Sequence, residues 1–150
     1  MVVALVSCVS LKLSEAVPAM DLYCSSWFKK AKKYVMRNYK KWFILSAEYG
    51  LVDPSVIISP YEKTLNKMKK IDRIKWAERV FNQIQKEDRI RKRIDVFAGS
   101  RYREFLLPLL ETDGYEIGIP LKGLKIGEQL QWFQRKIREE ELVFSKEIFL

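Results

Sequence analysis

Short, mainly apolar runs alternate along this chain with longer stretches whose apolar residues recur at helical spacing. Val2 to Val9 (VVALVSCV), Trp42 to Leu45 (WFIL) and Ile94 to Ala98 (IDVFA) are rich in β-branched and aromatic residues, the pattern of strands buried on both faces. Tyr115 to Ile119, broken at Gly118 and ended by Pro120, predicts a fourth short strand. Between these runs lie amphipathic segments. Ser26 to Tyr39 has Trp27, Phe28, Ala31, Tyr34, Val35 and Met36 at helical positions, behind a serine cap at 25 or 26. Ile71 to Lys86 places Ile71, Ile74, Trp76, Ala77, Val80, Phe81 and Ile84 on one stripe. Tyr102 to Glu111 predicts a helix kinked at Pro108. Gly127 to Glu140 predicts the last long helix, with Leu142 to Leu150 as a final strand or packed tail. Ser55 to Ser59 reads as a short edge piece, and Thr64 to Lys70 as a basic, mobile connector.

Strands and helices in strict alternation predict one α/β domain over residues 1–150, a three-layer α/β/α arrangement with a mostly parallel sheet of about four strands. Right-handed crossovers would then gather the loops Ser7–Met20, Ser46–Tyr61, Gly99–Tyr102 and Pro120–Gly127 on the carboxyl edge of the sheet. Open α/β sheets bind their ligands at that edge.

Charge narrows the partner. Against 19 Asp plus Glu stand 28 Lys plus Arg, a net charge of +9, which favours nucleic acid or a nucleotide as partner. The plainer reading is a basic surface of solvated lysines, as on the helix after Ser26. There is no histidine, which removes the commonest general base and metal ligand and excludes Ser-His-Asp and Cys-His schemes. Cys8 and Cys24 are isolated, in no metal-like spacing. No metal and no cofactor is therefore expected, and Cys8 reads first as a buried thiol in a reducing, cytoplasmic setting. The apolar start is too short to span a bilayer, and no membrane partner is expected.

Most of the chemistry-bearing residues fall in the four loops, with Asp21, Tyr23 and Glu62 just beyond them. Ser7, Cys8 and Lys12 offer hydroxyl, thiol and amine at the end of the first strand, without the glycines of a Walker loop. Ser46, Glu48, Tyr49 and Gly50 follow the second strand, with Asp53 close behind. Gly99, Ser100, Arg101 and Tyr102 stand where the third strand meets a helix, a place suited to an anion or to a simple helix cap. Gly123 and Gly127 bracket a loop with Lys122 and Lys125, suited to close ligand approach or to a tight turn. Glu48 and Asp53 are the candidate catalytic carboxylates, with Glu62 and Asp21 nearby; surface ion pairs are their ordinary role. Tyr23, Tyr49, Tyr61 and Tyr102 offer faces for a base or for core packing.

The motifs Ser7-Cys8 with Lys12, Pro18 to Tyr23, Ile44 to Pro54, Pro60-Tyr61, Gly99 to Tyr102 and Pro120 to Gly127 resemble small prokaryotic and phage proteins of the YaaA-like kind. A similar module occurs in archaeosine synthase, and the whole is distantly similar to uracil-DNA-glycosylase folds. The resemblance implies an α/β/α domain handling a nucleobase or nucleotide, with chemistry at an N-glycosidic bond. Two departures count against carrying roles across. Such relatives often have lysine in place of Glu48, and the glycosylase histidine has no counterpart. A non-catalytic binding module is the alternative, and a protein-interaction domain the third.

Overall fold

A computed structural model describes residues 1–8 and 12–149, the side chains of 148 and 149 excepted. The ends of the first predicted strand at Val9 and of the predicted tail at Leu150 lie outside the described residues. In chain order come β1 (Val3–Ser7), β2 (Val17–Pro18), α1 (Ala19–Leu22), α2 (Ser26–Asn38), β3 (Trp42–Ser46), β4 (Gly50–Val52) and β5 (Ile57–Ile58). A 3-10 turn (Leu65–Lys67) leads into α3 (Lys70–Lys86), β6 (Arg93–Phe97), α4 (Ser100–Arg103), α5 (Leu106–Thr112), β7 (Glu116–Gly118) and α6 (Ile126–Phe149).

The main sheet has five strands in the order β4-β3-β1-β6-β7. β1 is central and wholly buried, pairing in parallel with β3 and β6, and β7 continues the parallel set. The four expected strands are these. The fifth, β4, corrects the reading of residues 46–61 as one loop: the chain turns at Ala47–Tyr49 and returns antiparallel on β3, Ser46 facing Gly50 and Ile44 facing Val52. Gly50 adopts φ 74°, open to glycine at no steric cost.

Successive strand residues point to opposite faces. Val3 and Leu5 join a cluster with Trp76, Val80 and Ile84 of α3 and Leu106 and Leu110 of α5. Ala4 and Val6 join another with Phe28, Ala31 and Val35 of α2 and Phe133 and Ile137 of α6. Asp95 is an exception within the sheet. It accepts a 2.6 Å hydrogen bond from the Tyr39 hydroxyl. Gly118 is the strand residue beside it because a Cβ there would run into the Asp95 carboxylate. The glycine that interrupts the β7 pattern is thus a packing residue.

Other expectations need correction. Met36 is 54 % exposed and Ile71 55 %, each outside the stripe assigned to it. The helix expected from Tyr102 to Glu111 is two, parted at Glu104–Phe105. Pro108 sits in the first turn of α5, where its missing N–H costs no hydrogen bond. A continuous helix would set its ring against the carbonyl of residue 104, and the break falls there. Leu142–Phe149 continues α6 rather than forming a strand or packed tail; Leu142, Val143 and Phe144 are exposed. The extended piece at 55–59 is β5, paired antiparallel with β2. The connector after Thr64 folds as a turn anchored by fully buried Leu65, with the Thr64 hydroxyl accepting from Asn66 N–H.

From β1 the chain moves first to β3 on one side and later to β6 on the other. The carboxyl ends of β1, β3 and β6 therefore flank a topological switch point.

Candidate functional site

Tyr61 is the hub of the rim beside β1 and β3. Its hydroxyl lies 2.6 Å from that of Tyr23 and accepts from the Ser46 hydroxyl at 2.9 Å, with Cys8 Sγ 3.8 Å away. Ser46 in turn accepts the Tyr49 N–H at 3.0 Å. Its carbonyl accepts from Trp76 Nε1 of α3 at 2.9 Å, which fixes the end of β3 from the far side. Tyr49 and Tyr61 meet edge-on, ring centroids 5.6 Å apart, while the Tyr49 hydroxyl donates to the Ser59 carbonyl. Lys12 pairs with Tyr23 in an isolated bridge and carries its ammonium 4.5 Å from the Tyr61 ring centroid. Thus Cys8, Lys12, Tyr23, Ser46, Tyr49 and Tyr61, scattered between residues 8 and 61, are brought together. Ser7 is buried at the end of β1.

Burial dominates the proton chemistry here. It pushes the Cys8 thiol up to about 12, although hydrogen bonds with Tyr23 and Tyr61 and the charge on Lys12 work the other way. The thiol donates to the Leu45 carbonyl at 3.2 Å, so it is a packed donor rather than a nucleophilic thiolate. Burial likewise raises the hydroxyls of Tyr23, Tyr61 and Tyr102. They remain hydrogen-bonding groups through the neutral range.

In front of Tyr61 opens a cleft of about 690 Å³ lined by Lys12, Leu13, Pro60, Tyr61, Glu62, Thr64, Asn66 and Lys67, within the usual range for ligand sites. Thr64, Asn66 and Lys67 escaped the sequence reading, which took their segment for a connector. A Thr-x-Asn step, in which threonine caps its own turn, was the available signal.

Gly99, Ser100 and Gly123 line a different cleft of about 220 Å³ with Arg103 and Gln129, at the ends of β6 and β7. Tyr102 ties the two regions: its hydroxyl donates to the Cys8 carbonyl at 3.4 Å and also hydrogen-bonds with the Thr64 side chain and the Leu65 backbone. Tyr102 is otherwise core, edge-on to Trp76 and 2 % exposed, with no face for a ligand.

Five expected site residues stand apart from both clefts. Asp53 follows a strand that runs back from the rim, so the hairpin delivers it to the amino end of β3. There burial works against its charge. Ser55 N–H, the Ser55 hydroxyl and Arg89 outweigh that and hold the carboxylate below its usual range. Glu48 sits on the turn, its carboxylate 3.9 Å from Lys63 and its carbonyl bonded by Arg79. Arg101 pairs with Glu104 at 3.6 Å and is exposed, and Gly127 is exposed near the start of α6. Gly50 is the turn residue, not a cleft wall. Among the described residues no three acidic, cysteine or histidine side chains cluster to hold a metal ion, and no helix is long and apolar enough to cross a membrane.

The fold and this edge define a mixed α/β protein with a mostly parallel sheet and a polar, aromatic cleft at its carboxyl rim. Over residues 3–135 the chain matches, and belongs to, the family described as "Family of unknown function (DUF6884)". No curated protein and no solved structure matches it.

Proposed function

We propose that the chain is a nucleobase- and nucleotide-handling domain, binding a nucleotide or single-stranded nucleic acid in the cleft before Tyr61. The observation carrying this reading is the meeting of three chemistries there. Lys12 and Lys67 offer cations, Thr64 and Asn66 offer hydrogen-bonding groups, and Tyr61 offers an aromatic ring whose hydroxyl is held by three neighbours. Phosphate, base edge and base face are answered in turn. The YaaA-like and archaeosine-synthase-like resemblance, a three-layer α/β/α arrangement and a cytoplasmic setting accord with it.

The test is equilibrium binding of mononucleotides and short single-stranded oligonucleotides. Lys12→Ala and Lys67→Ala are expected to weaken affinity by about three- to tenfold each. Arg101→Ala, whose partner is Glu104, leaves it unchanged. Equal affinity in all four proteins, or none in the wild type, overturns the proposal.

N-glycosidic chemistry is the second reading, and one observation favours it: Glu62 lines the cleft. It, rather than Glu48 or Asp53, is the carboxylate placed to stabilise an oxocarbenium-like sugar. Glu62→Gln should then abolish base release while sparing binding; no base release by the wild-type protein removes this reading and leaves the first.

A further inference from the structure

Arg103 stands out among the described arginines by a guanidinium nitrogen that is buried and unsatisfied. Arg73, Arg89 and Arg101 are each held by a glutamate or aspartate. Arg103 has no ion-pair partner among the described residues, and its Nε–H is buried with no hydrogen-bond acceptor. Buried polar groups are nearly always satisfied, and a charged donor left alone is the costliest exception. The side chain lines the 220 Å³ cleft at the ends of β6 and β7.

Helical spacing explains why this residue, and not Arg101, is the one placed there. Ser100 and Arg103 lie three apart on α4 and share a face. Arg101 is turned about 100° from Ser100 and meets Glu104 instead. Gly99 and Gly123 stand on the walls beside open space, with no atom within 4 Å of where either Cβ would stand. Gln129 is not free to compete. Its oxygen accepts from Trp27 Nε1 and its nitrogen donates to the Leu124 carbonyl, so it serves as a fixed wall.

We propose that this cleft is a phosphate-binding site, in which the Arg103 guanidinium and the Ser100 hydroxyl hold the oxygens of inorganic phosphate or of a phosphoryl group. A guanidinium presents a planar fork that takes two oxygens side by side. A carboxylate has only the two oxygens that this fork engages. A tetrahedral phosphate keeps further oxygens, one for the hydroxyl of Ser100. The site stands on its own observation, the unsatisfied Nε–H, and not on the nucleotide reading of the Tyr61 cleft.

Proton–nitrogen correlation spectra of the arginine Nε–H groups test it directly, with inorganic phosphate and then acetate titrated at constant ionic strength. One cross-peak, absent in Arg103→Lys, is expected to move saturably with phosphate and much less with acetate. By calorimetry Arg103→Lys weakens phosphate binding at least about tenfold, and the exposed Ser100→Ala about threefold. Lys12→Ala changes neither, so failure at the Tyr61 cleft does not remove this site. No saturable movement of that cross-peak overturns the site. Acetate acting as strongly as phosphate overturns the assignment to phosphate. Full affinity in folded Arg103→Lys and Ser100→Ala together overturns the role of both residues.

Discussion

At the scale of single residues, the rim depends on hydroxyls and a thiol that stay protonated. Tyr61 touches Tyr23, Ser46 and Cys8 through one oxygen, and such a network holds its shape only while every member can donate or accept. Cys8 provides the titration that reads this out. In the unfolded chain its thiol ionises near the ordinary value of 9.0, whereas burial in the folded protein pushes it up to about 12. Below the first value both states hold the proton and stability is unaffected. Between the two, the unfolded state binds fewer protons than the folded one, so stability falls as pH rises. Tyr23, Tyr61 and Tyr102, raised in the same direction, steepen the fall once ordinary tyrosines begin to ionise. Urea unfolding at a series of alkaline pH values should show the decline starting near the ordinary thiol value. Cys8→Ala should start lower in stability but flatten that first part of the curve. An unchanged slope in the variant would show that Cys8 is not the group responsible.

At the scale of elements, the turn between β3 and β4 carries the most consequence for its length. Gly50 sits at φ 74°, and a Cβ there would meet the amide of Gln83. That amide accepts from Leu51 N–H at 2.8 Å and donates to the Tyr49 carbonyl, stitching the hairpin to α3. Gly50→Ala should cost about 1–3 kcal/mol in chemical denaturation, from left-handed backbone and crowding together. In a Gln83→Ala background the crowding part is relieved and the backbone part stays. A loss that is the same in both backgrounds would assign it all to φ. The same hairpin shows where local pattern stops informing. The parallel strands were legible because burial on both faces leaves an unmistakable apolar run, as in Val3–Ser7 and Trp42–Ser46. β4 is three residues of Gly-Leu-Val, too short for any period to declare itself, and its partner in space decides its state. Missing it sent Asp53 to the wrong edge. The gathering of Cys8, Lys12, Ser46 and Tyr61 followed from topology alone. Arg103 did not, because its importance lies in a partner it lacks, which only packing reveals.

At the scale of the whole molecule, the question is where a net charge of +9 is left to act. Much of the basic surface is already answered. Lys33 and Arg37 of α2 face Glu140 and Glu141 of α6, Arg89 faces Asp53 and Glu87, and Lys92 and Arg93 face Asp113 and Glu116. Exposed pairs of this kind contribute little stability, but they cancel charge locally. Around the Tyr61 cleft, Lys12 and Lys67 line the opening, and Lys63, Lys75 and Arg79 line a neighbouring hollow of about 370 Å³. Among the described residues, Glu48, Glu62 and Asp72 are carboxylates beside these openings. A strand of nucleic acid crossing this edge would displace counterions in proportion to the phosphates it pairs, about 0.7 per phosphate. Contacts to Lys12, Lys63 and Lys67 give an expected slope of about −2 for log affinity against log salt concentration, with a shallower slope for a mononucleotide. Removing Lys12 and Lys67 together should flatten the oligonucleotide slope by about 1.4, whereas Lys33→Ala on the paired face of α2 should leave it alone. Fluorescence titrations across salt concentrations distinguish the two faces. If the slope survives loss of both cleft lysines and yields to Lys33→Ala, the polyanion runs along α2 instead, and the cleft before Tyr61 holds at most a small molecule.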